Sequence, residues 1–421
     1  MKYDCIIIGA GASGMMAAIT AARQKKSVLI LEKKDKIGKK IYATGNGKCN
    51  YTNSDMKLEY YHGNKNLIQS VLSQFNWEQT IDFFKEIGIY PSTRDTYYYP
   101  NSNQAASVVN ALAIELDRLG VQIQLDCDIK EISYEKDFYK IKCNSKDSKN
   151  ANGYEAKSLV FAVGLLAAPK LGSDGSAFDF IKGFGHRFTK VVPALCGFYC
   201  SGANFKKMAG VRTKANISIV INDREVANET GELQLTDYGI SGIPVFQVSR
   251  FASLAIAKKK SVQARINFLP DFDVEILKDE LSKRLDRLPD NKELTFVLNG
   301  LLPEKLWSEL YKYAGIDLSF TKKSLKKRNI YDKQFIREFT NALIDAIFNF
   351  YIDVNKFRDF DFAQVCAGGI KSDEIDCETL ESKLNPNMYF VGELLDVDGI
   401  CGGYNLQWAW ASGYVAGKSI K

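Results

Sequence analysis

Tyr3-Asp4-Cys5-Ile6-Ile7-Ile8-Gly9-Ala10-Gly11-Ala12-Ser13-Gly14 opens the chain, and Glu32 follows eighteen residues after the last of these glycines. Residues of these types at this spacing bind a dinucleotide. Gly9 permits a tight turn, and Gly11 lets the backbone approach a pyrophosphate. Gly14 lets the next helix pack close to the strand, so that its first N–H groups and its dipole face the phosphates. Glu32, at the end of the second strand, accepts hydrogen bonds from ribose hydroxyls. The fingerprint alone leaves FAD and NAD(P) both open.

Two further segments add chemistry. Gly45-Asn46-Gly47-Lys48-Cys49-Asn50 is a glycine-rich loop just after the first βαβ unit. Such a loop presses backbone against a ligand, and Lys48 brings a positive charge near a pyrophosphate or an anionic flavin. Near the C-terminus, Tyr389–Val391 reads as a buried strand with Gly392-Glu393 at its carboxyl end, the edge where open α/β sheets bind ligands. Gly402-Gly403-Tyr404-Asn405 then opens a helix, and a helix start aimed at an isoalloxazine ring stabilises negative charge on the reduced flavin. Leu406, Trp408, Ala409, Trp410, Ala411 and Gly413 make that helix apolar or small on most sides, so it should be buried. Another strand end, Ala162-Val163-Gly164, brings a glycine backbone toward the same edge. The candidate cofactor-binding residues are therefore Gly9, Gly11, Ala12, Ser13, Gly14, Glu32, Lys33, Gly45, Gly47, Lys48, Cys49, Asn50, Ala162, Gly164, Gly392, Glu393, Gly402, Gly403, Tyr404 and Asn405. Lys48, Tyr404 and Asp237 are the candidate catalytic groups.

The elements that position them follow from periodicity. The first βαβ unit is a strand, a helix over Met15–Lys25 and a strand over Ser27–Leu31, with a long loop at 35–60. Helical periodicity returns at Asn66–Ile87 and Ala105–Leu119. Strands follow at Val121–Cys127 and Phe138–Cys143, then a polar turn at 144–153 and a short apolar strand at Ser158–Gly164. From Val191 the texture changes to alternating segments, at Ala194–Tyr199, Asn216–Ile221, Glu232–Leu235 and Val262–Phe268. Residues 273–345 are helical and lysine-rich, and after Phe362 glycine-punctuated strands return. The ends look alike and the middle looks foreign. This predicts a discontinuous nucleotide-binding domain (1–190 with 355–421), interrupted by a β-barrel-like domain (191–270 with 346–354) and a helical domain (271–345).

Composition excludes several classes. The chain has 421 residues, enough for two or three domains, with 46% hydrophobic and 25% charged residues, as in ordinary globular proteins. No apolar run is long enough for a bilayer span, and no signal peptide is evident, so a cytoplasmic protein is expected. None of the nine cysteines forms a C-x-x-C pair, which argues for reduced thiols. With two histidines, His62 and His186, no zinc site is expected, and no G-x-S-x-G elbow marks a hydrolase. The net charge of +6 and the lysine runs at 33–40, 258–260 and 322–327 read mainly as solvated faces, which disfavours nucleic acid as a partner.

The chain as a whole resembles the aminoacetone-oxidase-like FAD flavoproteins of bacteria, a family whose relatives include bile-acid reductases. The resemblance runs through Ile6–Gly14, Ala43–Asn50, Gly172-Ser173-Asp174-Gly175, Gly231-Glu232, Thr236–Gly242, Ala367–Ile370, Glu378–Lys383, Gly392-Glu393, Asp396–Gly399 and Gly402–Ala411. It implies an α/β fold, a glutathione-reductase-type FAD-binding Rossmann domain with an inserted β-barrel domain and a helical domain. It also implies non-covalent FAD at Gly9–Gly14, Glu32, Gly45–Asn50, Gly392-Glu393 and Gly402–Asn405. Many members carry His in place of Asp237, Arg in place of Lys48 and Thr in place of Cys366. No second glycine fingerprint for a nicotinamide follows residue 50, so NAD(P)H would act only as a transient reductant.

The resulting expectation is an FAD-dependent oxidoreductase. In the first reading a small substrate, such as the amine aminoacetone, gives hydride to flavin N5, and oxygen reoxidises the flavin to hydrogen peroxide. In the second, NAD(P)H reduces the flavin, which reduces an enone-type substrate. In a third, from another class, the protein modifies or binds RNA. The substrate and the oligomeric state are not legible.

Overall fold

The structure, a computed structural model, describes residues 2–144 and 153–421. The polar turn expected at 144–153 falls almost wholly outside them. The chain forms two compact units: Met1–Pro193 with Phe360–Lys421, and Ala194–Asp359.

The first unit is built on one seven-stranded mixed sheet. Its centre is β1 (Lys2–Ile8), flanked in parallel by β2 (Val28–Leu31) and by the strand Tyr154–Phe161. Gln122–Gln124 extends the parallel set beyond β2, and Met388–Phe390 pairs in parallel with Tyr154–Phe161. Phe138–Asn144 and Asp128–Glu135 complete the sheet as an antiparallel hairpin. Ile6, Ile7, Leu29, Ile30, Val160 and Phe161 are buried, as strands covered on both faces require. The parallel strands all point the same way, so their carboxyl ends gather Gly9, Glu32, Ala162 and Val391 at one edge.

Helix α1 (Ala12–Arg23) leaves that edge and lies against the C-terminal helix Tyr404–Ser419. Close approach is set by small residues: a Cβ on Gly413 would stand 2.4 Å from the Ser13 carbonyl oxygen, and one on Gly417 2.5 Å from that of Ala17. The helix expected at Asn66–Ile87 is in fact two, Lys65–Gln74 and Trp77–Glu86. The break is a capping box in which the Asn76 and Gln79 side chains each bond the other's backbone N–H. Apolar periodicity runs on across such a break because both helices bury a face. The hairpin Pro91–Arg94/Tyr97–Pro100 is a further addition to the sequence reading.

The second unit contains a closed antiparallel barrel of six strands, in the order Phe198–Ser201, Gly239–Ser241, Arg224–Leu235, Arg212–Ile221, Val262–Asn267 and Phe350–Phe357. Alternate residues Ala215, Ile217 and Ile219 are buried, as are Ala264 and Ile266. The helix Ile243–Ala257 packs on the barrel through Val245, Val248 and Ala252, and helices Val274–Arg287, Glu304–Tyr313 and Lys333–Phe348 extend the same apolar cluster. Barrel and helical run thus share one core.

Candidate functional site

The site is built at the carboxyl edge of the parallel strands. Gly9 has φ +103°, and a Cβ there would meet the Ala162 carbonyl oxygen at 2.5 Å. A Cβ on Gly14 would stand 2.0 Å from the Gly9 carbonyl oxygen. These two positions fix how tightly strand, turn and helix nest. Gly11 differs. It is the N-cap of α1, its helix start carries no side-chain cap, and a Cβ there would meet nothing within 4 Å. An uncapped helix start below open space is what a pyrophosphate needs.

Glu32 braces this turn. One carboxylate oxygen accepts the Ala10 N–H at 2.7 Å and the other the Lys34 N–H at 2.8 Å. Each oxygen keeps a lone pair for a ribose hydroxyl. Lys33 turns aside into an ion pair with Asp174 at 2.7 Å. Ala162 donates its N–H to Ile8, and Gly164, at φ +64°, lies beside Ser173 and Glu393.

The C-terminal strand end joins the same edge. A Cβ on Gly392 would stand 2.5 Å from Ser13 Oγ, so the two chain ends touch at the cofactor turn. The Gly392 N–H donates to Ser412 Oγ, and Trp408 Nε1 donates to the Gly392 carbonyl. Glu393 accepts the Cys366 N–H at 2.7 Å and the Lys40 ammonium at 2.8 Å. Lys40 was absent from the sequence expectations. It belongs to the lysine run 33–40, which carries no motif; the structure puts it on the short helix Lys39–Ala43, and only the fold brings it to a partner 353 positions away.

The loop 45–50 reaches the start of the C-terminal helix. A Cβ on Gly403 would stand 2.8 Å from the Thr52 carbonyl and 3.0 Å from Asn50 Oδ1. Asn50 Oδ1 is buried without a hydrogen-bond partner. Lys48 is half-buried, with no ionic partner among the described residues. Gly45 (φ +56°), Asn46 (φ +54°) and Gly47 (φ +82°) turn this loop through left-handed backbone. An orphaned acceptor beside a glycine helix start, with Lys48 two residues before it in the same loop, fits a polar, anionic group such as a flavin dinucleotide.

Other expected groups have other occupations. Tyr404 is buried, its hydroxyl donates to the Asp55 carbonyl at 3.0 Å, and its ring is edge-packed by Tyr60 and Tyr61. Burial pushes this phenol well above its ordinary range. Its hydroxyl is therefore committed to holding the helix start. Asn405 does similar work, bonding Gly399 through both N–H and C=O at 2.8 Å. Cys49 is fully buried, and burial pushes its thiol up to about 12, too high for a nucleophile near neutrality. Asp237 belongs to the second unit, exposed in the turn before Gly239–Ser241. There it lines a hollow of about 590 Å³ with Cys200, Lys206 and Lys312.

Comparison with known proteins agrees with the geometry. The model of the family described as "HI0933-like protein Rossmann domain" matches residues 3–419. A 3-dehydro-bile acid delta(4,6)-reductase of Clostridium scindens is 40% identical over 416 residues, 98% of each chain. A ribosomal RNA dihydrouridine synthase of Escherichia coli is 27% identical over 423 residues, covering 100% of this chain and 98% of that one. Among solved structures, a 3-ketosteroid delta1-dehydrogenase of Sterolibacterium denitrificans aligns over 100% of this chain and 99% of its own. Its TM-score is 0.51 at 13% identity, a likeness of fold.

Proposed function

The chain belongs to the HI0933-like Rossmann-domain family and is an FAD-dependent oxidoreductase, and we propose that it works as a reductase of a carbon–carbon double bond conjugated to a carbonyl, with NAD(P)H as transient reductant. The observation that carries this reading is the full-length similarity to the Clostridium scindens reductase. The names of these two relatives describe hydrogenation of such a double bond, in a 3-oxo bile acid and in uridine.

The chain's residues divide the work. The start of α1 and the Gly11 backbone would hold the pyrophosphate, and Glu32 would take ribose hydroxyls while bracing the turn. Asn50, Gly392, Gly403 and Lys48 line the flavin end. Asn50 Oδ1, which has no partner within the protein, would accept a hydrogen bond there, and the Lys48 ammonium would balance negative charge. FAD, when bound, would supply the hydride-transfer chemistry. Lys40 holds the Glu393 carboxylate in place through their 2.8 Å ion pair.

The test is anaerobic. FAD-loaded protein is mixed with NADH or NADPH, then with a 4,6-dien-3-one bile acid or a uridine-containing ribosomal RNA fragment. The proposal expects nicotinamide to bleach the flavin and the dienone to restore its colour, giving the hydrogenated product. Recolouring by RNA alone would assign the substrate to the second relative's class. Bleaching by aminoacetone but by neither nicotinamide would overturn the reductase reading in favour of the oxidase.

A further inference from the structure

The antiparallel hairpin at the edge of the large sheet carries two cysteines that the cofactor site does not use. Cys143 lies on the strand Phe138–Asn144, opposite Ile129 of Asp128–Glu135. Cys127 immediately precedes that second strand, and its position two residues before Ile129 puts it on the same face as Cys143. The two thiols therefore lie diagonally across the hairpin and influence each other's titration. Cys127 is 2% exposed, whereas Cys143 is only half-buried and open to a small oxidant.

Their place in the fold ties them to the cofactor turn. The Cys127 N–H donates to the Glu32 carbonyl at 2.9 Å, and the Glu32 N–H donates to Gln124 at 2.9 Å. Asp126 N–H reaches Lys34 at 3.1 Å. Residues 124–127 are thus a strap laid along the segment that holds the ribose-binding acid.

The pair is chemically asymmetric. The neighbouring Cys127 thiol lowers the Cys143 thiol below its ordinary range, against the opposing effect of partial burial. In turn the Cys143 thiol, together with burial and the nearby Asp128 and Glu32 carboxylates, raises Cys127. The accessible sulfur is the better nucleophile, and the buried one is protonated beside it.

We propose that Cys143 is a peroxide-reactive thiol that Cys127 resolves into a disulfide across the hairpin. The Cys143 thiolate attacks a peroxide oxygen, the O–O bond breaks, and a sulfenic acid and one water form. The Cys127 sulfur then displaces the sulfenic hydroxyl, which leaves as water with the Cys127 proton. Two thiols lose two electrons and two protons, and one hydrogen peroxide becomes two waters. The disulfide pins the strap to the hairpin, so the Glu32 segment opens less often and FAD leaves more slowly.

The experiment treats FAD-loaded full-length protein with hydrogen peroxide, blocks remaining thiols by alkylation and maps cross-linked peptides by mass spectrometry. A Cys127–Cys143 peptide is expected in the wild type and in no Cys143→Ser sample. Cys127→Ser should stop at a Cys143 sulfenic acid that dimedone traps. FAD release should slow on oxidation of the wild type and not of Cys127→Ser, and a thiol reductant should restore the original rate. Unmodified Cys143 in both wild type and Cys127→Ser would overturn the proposal, as would linkage of Cys143 to another cysteine or unchanged FAD release in the cross-linked protein. Melting curves of the untreated variants check that each is folded, and the dimedone adduct reads Cys143 without needing the cross-link.

Discussion

The cofactor edge carries two glycine turns that lead into helices, and they are held in opposite ways. At Gly11 the start of α1 is open: no side chain caps it, and a Cβ would meet nothing. At Gly403 the start of the C-terminal helix is crowded. Thr52 and Asn50 press on it, Tyr404 is locked to Asp55, and Asn405 clamps Gly399. The glycines of the first turn fall within one stretch of six residues, 9–14, although Glu32 braces it and Ala162 packs beneath it. The second exists only because loop 45–50 and residues 52–61 reach across the fold. An open turn tolerates change in the protein and not in the ligand; a crowded turn does the reverse.

The comparison breaks most severely if packing beneath the first turn is disturbed. Gly14→Ala places a Cβ 2.0 Å from the Gly9 carbonyl oxygen, a backbone atom that cannot swing aside. The protein should lose about 1–3 kcal/mol of stability or more and purify without flavin colour, read by the melting curve and the visible spectrum. Gly11→Ala is the sharper contrast. The free protein should keep its stability within about 0.5 kcal/mol, while FAD binding weakens at least tenfold, about 1.4 kcal/mol, in a titration of the apoprotein. Equal losses in both quantities would erase the distinction between open and crowded turns. Lys40→Met strips the ammonium from Glu393 and leaves that carboxylate the Cys366 N–H as its one hydrogen-bond donor among the described residues. A loss of about 1 kcal/mol in FAD affinity is expected.

Tyr404→Phe tests the crowded turn directly. It removes one hydrogen bond to Asp55, so about 0.5–1.5 kcal/mol of stability should go while turnover of bound FAD changes little. A collapse of turnover with stability intact would make the phenol a proton donor instead. The smallest effect concerns the base of the same strand end. His186 packs edge-on against Phe390, between Glu374 at 3.0 Å and Ser382 at 2.8 Å. Burial lowers its folded pKa below the unfolded value, although the Glu374 carboxylate opposes the shift. The neutral ring therefore contributes stability that is full above the unfolded pKa and declines as pH falls from about 6.5. Glu374, whose carboxyl is also lowered despite burial because Arg187 and His186 bond it, adds a second decline below its ordinary carboxylate range. The melting temperature should fall in that order on acidification, and His186→Gln should remove the upper step.

Much of the FAD unit was legible because its signals are local. The order of strand, glycine turn, helix, strand and acid predicts β1, α1, β2 and Glu32, although α1 starts three residues before the expected Met15, at Ala12, and so takes Gly14 into its first turn. The buried C-terminal helix followed from Trp408 and Trp410 in a segment apolar on most sides. The barrel was legible as alternation, although Arg224–Leu235 is far longer than the segment at Glu232–Leu235 because its outward half is polar. Helix boundaries failed where a side chain, not the apolar pattern, decided them, as at Asn76. Lys40 was invisible because an ion pair spanning 353 positions leaves no mark in spacing.

The sequence by itself determined the dinucleotide turn, the strands that end beside it and the identity of the acid that braces it. These depend on backbone conformation and on residues within one supersecondary unit, where spacing fixes geometry. Tertiary structure alone decided that Tyr404 is a strut, that Asn50 keeps an unbonded acceptor, that Lys40 answers Glu393 and that Cys127 meets Cys143 behind Glu32. Those outcomes depend on which distant segments share a neighbourhood. Burial and the hydrogen bonds available there set what each side chain does.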